Sequence, residues 1–238
     1  MAAKESYFWH KVHSLTGIIP VGFYMVQHLT LNSFALAGPT KFNAVIQFFE
    51  GMPKHFLFGL KYGLIWVPLF FHAIYGLFIV NRMAPYTAPA AKKFRENSYY
   101  LWQRWSGIFI FLFLVYHMAT TSVANSISGA ETTIHYQNWA AKLSALNYGV
   151  LVFYILGVAA SAYHLSYGIW NFCIRWGITI SEAAQLRVAK FARVFCVVVT
   201  LIGWAALAGF FYSPFAPKPH AEEFVSTEGA RPVSTVSR

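Results

Sequence analysis

Two stretches, "FFHAIYGLF" (70–78) and "AYHLSYGIW" (162–170), decide how this chain is read. Each sets a histidine inside a run apolar enough for the interior of a bilayer. An aromatic residue precedes each histidine, and Tyr-Gly follows three and four residues later. The surrounding composition has the same character. The 238 residues are 57% hydrophobic and 19% aromatic but only 11% charged, with a mean hydropathy of +0.47, whereas a soluble domain carries about 25% charged residues.

Five apolar runs account for the difference, over 15–37, 56–80, 105–127, 148–172 and 191–212. Each is near or above the roughly 20 residues a helix needs to cross a bilayer. The first follows only fourteen residues and has no small-residue cleavage site, so it reads as a retained span and not a signal peptide. The expected organisation is a cytoplasmic segment over 1–14, a five-helix transmembrane domain over 15–212 and a flexible extracytoplasmic tail over 213–238. The net charge of +10 does not point to nucleic acid. With the amino terminus cytoplasmic, eleven basic residues fall on inner segments and seven on outer ones, several of the seven in the long tail. The positive-inside rule favours that topology. The polar, basic "PYTAPAAKKFRE" (85–96) is then an inner loop. Cys173 and Cys196 fit neither a haem-attachment motif nor an iron–sulfur cluster, and no glycine-rich phosphate loop is present.

Four of the nine histidines fall within spans, one in each of the first four: His28, His72, His117 and His164. Ionisable groups at membrane depth are costly and mark function by default. Their depths pair. His28 lies fourteen residues past Ser14 and His117 thirteen past Arg104; His72 lies ten before Arg82 and His164 eleven before Arg175. At 1.5 Å per residue the first pair sits roughly 20 Å, and the second roughly 16 Å, from the inner boundary. The spans also look duplicated. "TGIIPVGFYMVQHLT" resembles "SGIFIFLFLVYHMAT", with Gly17 eleven residues before His28 and Gly107 ten before His117. A parallel repeat of helix pairs implies a pseudo-two-fold axis along the membrane normal, which turns equivalent histidines toward each other across a four-helix bundle. Gly76 and Gly168 lie one turn beyond their histidines on the same face, where a missing side chain leaves room for a flat macrocycle. Gly17, three turns inward of His28, reaches the depth of the other pair and could admit the second ring. Pro20 and Pro68 bend the first two spans.

Bis-imidazole ligation of two haems satisfies these features: one nitrogen of each neutral ring on iron, the other on a helix carbonyl, and no charged side chain in lipid. The expected fold is an all-α membrane protein of five transmembrane helices, the first four forming a haem-binding bundle. His28, His72, His117 and His164 are the expected axial ligands to iron.

"VHSLTGIIPVGFYMVQHL" (12–29), "PLFFHAIYGLFI" (68–79), "WQRWSGIFIFLFLVYHM" (102–118) and "FYILGVAASAYHLSYGIWNFCIRWGIT" (153–179) closely resemble the di-haem cytochrome b membrane anchor of succinate dehydrogenases and fumarate reductases, the type with a single five-span anchor. The resemblance covers about residues 6 to 190. It implies two b haems, an outer one on His28 and His117 and an inner one on His72 and His164. It also implies cytoplasmic flavoprotein and iron–sulfur partners, electrons passing from the iron–sulfur protein to the inner haem, then the outer haem, then a quinone, in particular menaquinone, and a place in the bacterial cytoplasmic membrane among its lipids. His13 and Ser14 match positions near the inner haem propionates. Arg175 does so too, and stands three turns past His164 at the inner face, where a propionate would want a cation. Gln103 and Arg104 end the third span at the same level. Glu50 matches a carboxylate near the quinone that could relay protons.

The same anchor could run in reverse as a fumarate reductase, and the resemblance leaves open a higher oligomer of the complex. Another quinone-linked cytochrome b anchor is a weaker reading; a bc-type subunit would carry two histidines on one helix, and no span here does. A proton-coupled transporter without haem would call for intramembrane acids, which the central helices lack.

Overall fold

The computed structural model describes residues 2–81 and 95–214. The inner loop before residue 95 and the tail beyond 214 lie outside the described residues, and with them most of what the sequence suggests about both. The described residues fold as helices. Helix α1 runs continuously over 2–32 and passes into a 3-10 turn, Ser33–Ala37, before α2, Gly38–Glu50. Then come α3, Lys54–Asn81; α4, Ser98–Ser128; the short α5, Tyr136–Ser144; α6, Gly149–Arg175; and α7, Glu182–Gly209.

Four of these, α3, α4, α6 and α7, are long and apolar enough to cross a membrane. Helix α1 is equally long, but Lys11, His13, Gln27 and Asn32 dilute its apolar face. The helices overrun the apolar runs at most ends. Helix α7 starts at Glu182, well before residue 191, because Ser181 caps it, its Oγ accepting from the Ala184 N–H at 3.3 Å. Helices α2 and α5, which the hydropathy pattern does not announce, lie between the spans.

Three of the long helices contain π turns. In α1 the turn is Gly17–Gly22, around Pro20. Proline has no N–H for the carbonyl four residues back and its ring crowds that carbonyl, so the backbone widens to i→i+5 bonding. In α3 the π turn Gly59–Trp66 stands just ahead of Pro68. A π turn absorbs an extra residue. The eleven residues from Gly17 to His28 therefore wind about as far as the ten from Gly107 to His117, which explains the unequal spacing of the repeat. Gly17 and His28 are therefore separated by a widened turn and not by three regular ones.

Helices α1, α3, α4 and α6 close a ring, each packed on the next, and α7 lies outside it against α6 and α1. Small residues allow close approach. Gly157 of α6 meets the Phe113 ring of α4, and a Cβ at Gly203 of α7 would lie 2.5 Å from Val158 of α6. The densest core sits at the end bearing α2 and α5, called outer after the expected topology. Ala35, Phe42, Trp139, Leu143, Tyr154 and Phe210 are buried there. Phe210 stacks on Trp139, ring centres 5.2 Å apart, and meets Phe42 edge-on at 5.0 Å.

Candidate functional site: two histidine pairs inside the ring of helices

The four span histidines meet in two pairs. His28 of α1 and His117 of α4 have ring centres 5.8 Å apart, with planes at 78°. His72 of α3 and His164 of α6 stand 6.1 Å apart at 88°. His13, by contrast, lies flat on His72 at 4.0 Å and 9°. Two imidazoles that share one metal, at roughly 2 Å per bond, bring their ring centres to about 6 Å. Among the described residues no group of three His, Cys, Asp or Glu side chains could hold a metal ion. Each pair on its own offers a metal two imidazole ligands.

At the inner pair, the other ring nitrogens are held by main chain. His72 Nδ1 is 2.9 Å from the His13 carbonyl, and His164 Nδ1 is 3.0 Å from the Gln103 carbonyl. A carbonyl only accepts, so Nδ1 carries the proton and Nε2 keeps its lone pair. Ser106 Oγ, 3.2 Å from His164 Nδ1, adds a second contact. The two halves repeat each other residue for residue. His13 and Gln103 each lie four residues before a glycine, Gly17 or Gly107, and each glycine faces the histidine that its carbonyl neighbour holds. A Cβ at Gly17 would fall 2.6 Å from His72 Nδ1 and closer still to Cε1; one at Gly107 would fall 3.1 Å from His164 Cε1. So the space at Gly17 admits the His72 ring itself. Gly76 and Gly168 recur in the same way, a Cβ there lying 3.3 Å from His13 Nε2 and 3.7 Å from Gln103 Nε2 respectively.

The remaining inner candidates gather at one corner. Ser14 Oγ accepts from the Trp176 indole at 3.1 Å, beside Arg175 at the exposed end of α6. Gln103 also donates from Nε2 to the His164 carbonyl at 3.0 Å. Arg104 donates to the Tyr100 carbonyl at 3.2 Å and stacks on the Tyr100 ring. His13 Nε2 and Gln103 Oε1 are buried without a hydrogen-bond partner.

The outer pair is held by phenols. His117 Nδ1 lies 3.2 Å from the Tyr154 hydroxyl, and His28 Nδ1 lies 3.5 Å from that of Tyr24. Tyr24 was findable in sequence, four residues before His28 on the same helix face; Tyr154 comes from another span and leaves no local signal. Glu50 is exposed at the end of α2, which is tied to α5 by Asn43, its side chain bonded to Gln137 and to the Tyr136 N–H.

No family model matches the chain. Among curated proteins it is 31% identical, over 214 residues, to the succinate dehydrogenase cytochrome b558 subunit of Bacillus subtilis (strain 168); the match spans 88% of this chain and all of that protein. An all-helical chain with four membrane-length helices, histidines paired across a ring of helices, and this degree of identity lead to one conclusion: the chain belongs to the family of succinate dehydrogenase cytochrome b membrane subunits.

Proposed function

We propose that this chain crosses the bacterial cytoplasmic membrane five times, α1 included, with its amino terminus inside, and anchors a succinate:menaquinone oxidoreductase while holding two b haems. The observation that carries the proposal is the pair of imidazole gaps, 5.8 and 6.1 Å, at two levels of one ring of helices. When bound, the haems supply one-electron transfer along the membrane normal. His72 and His164 would hold the inner one through Nε2, His28 and His117 the outer one. The carbonyl contacts at the inner pair fix the tautomer, and the Nδ1 contacts at both pairs set the plane of each ring, as outer-shell partners of metal-bound histidines do.

The residues fit the group in a second respect. His13 Nε2 and Gln103 Oε1 are buried, unpartnered and placed against the inner pair; an amide leaves one atom free in either orientation. With Ser14, Arg104 and Arg175 they supply donors and positive charge for haem propionates at the inner face. Gly17, Gly76 and Gly168 keep side chains out of the same volume. Glu50, exposed at the outer side, would pass protons toward a quinone. Tyr7, Phe8 and Trp9 are 54%, 58% and 46% exposed on the amino-terminal end of α1. That end supports docking of the iron–sulfur subunit, which the flavoprotein joins.

Anaerobic addition of succinate to the assembled complex tests this reading. Both b-haem absorption bands should appear in the reduced form and vanish again on adding a menaquinone analogue. Bands that respond to dithionite but never to succinate would refute it.

A further inference from the structure

The π turn Ala119–Val123 begins two residues after His117 and disturbs the hydrogen bonding there. The Ala124 N–H, which a regular helix would give to Thr120, goes to the Ala119 and Thr121 carbonyls instead. The Thr121 hydroxyl turns back to the His117 carbonyl, and that of Thr120 to the Tyr116 carbonyl at 3.0 Å and the His117 carbonyl at 3.4 Å. The Thr120 carbonyl is met by a cation from outside the helix. Lys142 of α5 donates from Nζ to Thr120 O and to Thr133 O, both at 2.9 Å, and lies 4.5 Å over the Trp139 ring. Burial works against this charge and pulls the ammonium's pKa below the ordinary lysine value; two carbonyl oxygens and an aromatic face offset that cost.

Two of the three groups that Lys142 touches lead to the outer pair. Trp139 packs edge-on against Tyr154, ring centres 5.9 Å apart, and the Thr120 side chain lies beside the Tyr154 phenol. Tyr154 is the partner of His117 Nδ1. We propose that Lys142 is a positioning residue of the outer haem site: it braces Tyr154 and the turn behind His117, and its fixed positive charge stabilises the reduced form of a haem held there. Reduction adds one negative charge to the haem, and a nearby ammonium favours the state that carries it.

The inference rests on the reading that His28 and His117 hold a haem. Potentiometric titration of the purified complex, followed optically with the two b haems resolved, tests it in K142M and K142R. In K142M the reduced-to-oxidised ratio of the outer haem at a given potential should fall roughly tenfold, which is about 59 mV for a one-electron couple. The inner haem should stay put, and K142R should hold the outer potential near that of the native protein. Should K142M assemble no cytochrome, K142Q against K142R gives the same test, because glutamine can hydrogen-bond but carries no charge. An outer potential unmoved in the neutral variants, or both haems shifting together, would overturn the inference alone. A native protein with fewer than two haems would overturn it together with the reading beneath it.

Discussion

The inner and outer histidine pairs are alike in ring separation and differ in what holds them. His72 and His164 lean on main-chain carbonyls of helices next door, whereas His28 and His117 lean on tyrosine hydroxyls. A carbonyl is part of the helix and cannot be mutated away. A phenol can. The inner pair is also walled by glycines, with His13 stacked flat on one ring, while the outer pair borders the aromatic core of Phe113, Trp139 and Tyr154. The inner site thus owes its geometry to close backbone packing, and the outer one to side chains that fill space.

The sharpest way to separate the two is to remove ligands. H72A or H164A should abolish the inner haem, and H28A or H117A the outer, each halving the haem per chain by pyridine haemochrome assay. Loss of both from any one substitution would mean that the sites are not separately built.

Packing comes next. G17L drives a side chain into the volume of the His72 ring and should cost the inner haem while sparing the outer. G107A, whose added carbon meets His164 at 3.1 Å, should only perturb it, seen as a shifted low-spin signal in electron paramagnetic resonance at unchanged haem content. Equal effects of the two would contradict the asymmetry.

Side-chain partners should matter at the outer site alone. Y154F removes the hydroxyl that contacts His117 Nδ1 and should loosen the outer haem by roughly tenfold or more, the usual cost of losing a hydrogen bond to a metal-bound histidine; competition with apomyoglobin reads this out. S106A should do least. His164 Nδ1 retains the Gln103 carbonyl, so haem retention should stay within about twofold, a fraction of the net worth of one hydrogen bond.

Much of this was legible in the residues themselves. Hydropathy gives the long helices because lipid leaves backbone groups no other partner, and the four histidines stand out because polar groups are rare at that depth. The repeat of Gly17 and His28 in Gly107 and His117 shows which histidines are equivalent. Three things were hidden, each for a physical reason. Carbonyl acceptors carry no residue identity, so the partners of His72 and His164 left no trace. Pro20 announces a disturbance in α1 but not that it takes the form of a π turn, which resets the helix by one residue. Helices α2 and α5 are too short and too polar to register as spans, yet α5 brings Lys142 and Trp139 to the outer pair.

The most direct measurement is a reduced-minus-oxidised spectrum with haem quantitation on the purified complex. Two low-spin b haems per chain are expected, each lost separately with its own pair of histidines. A single haem, or a protein without colour, would contradict the account.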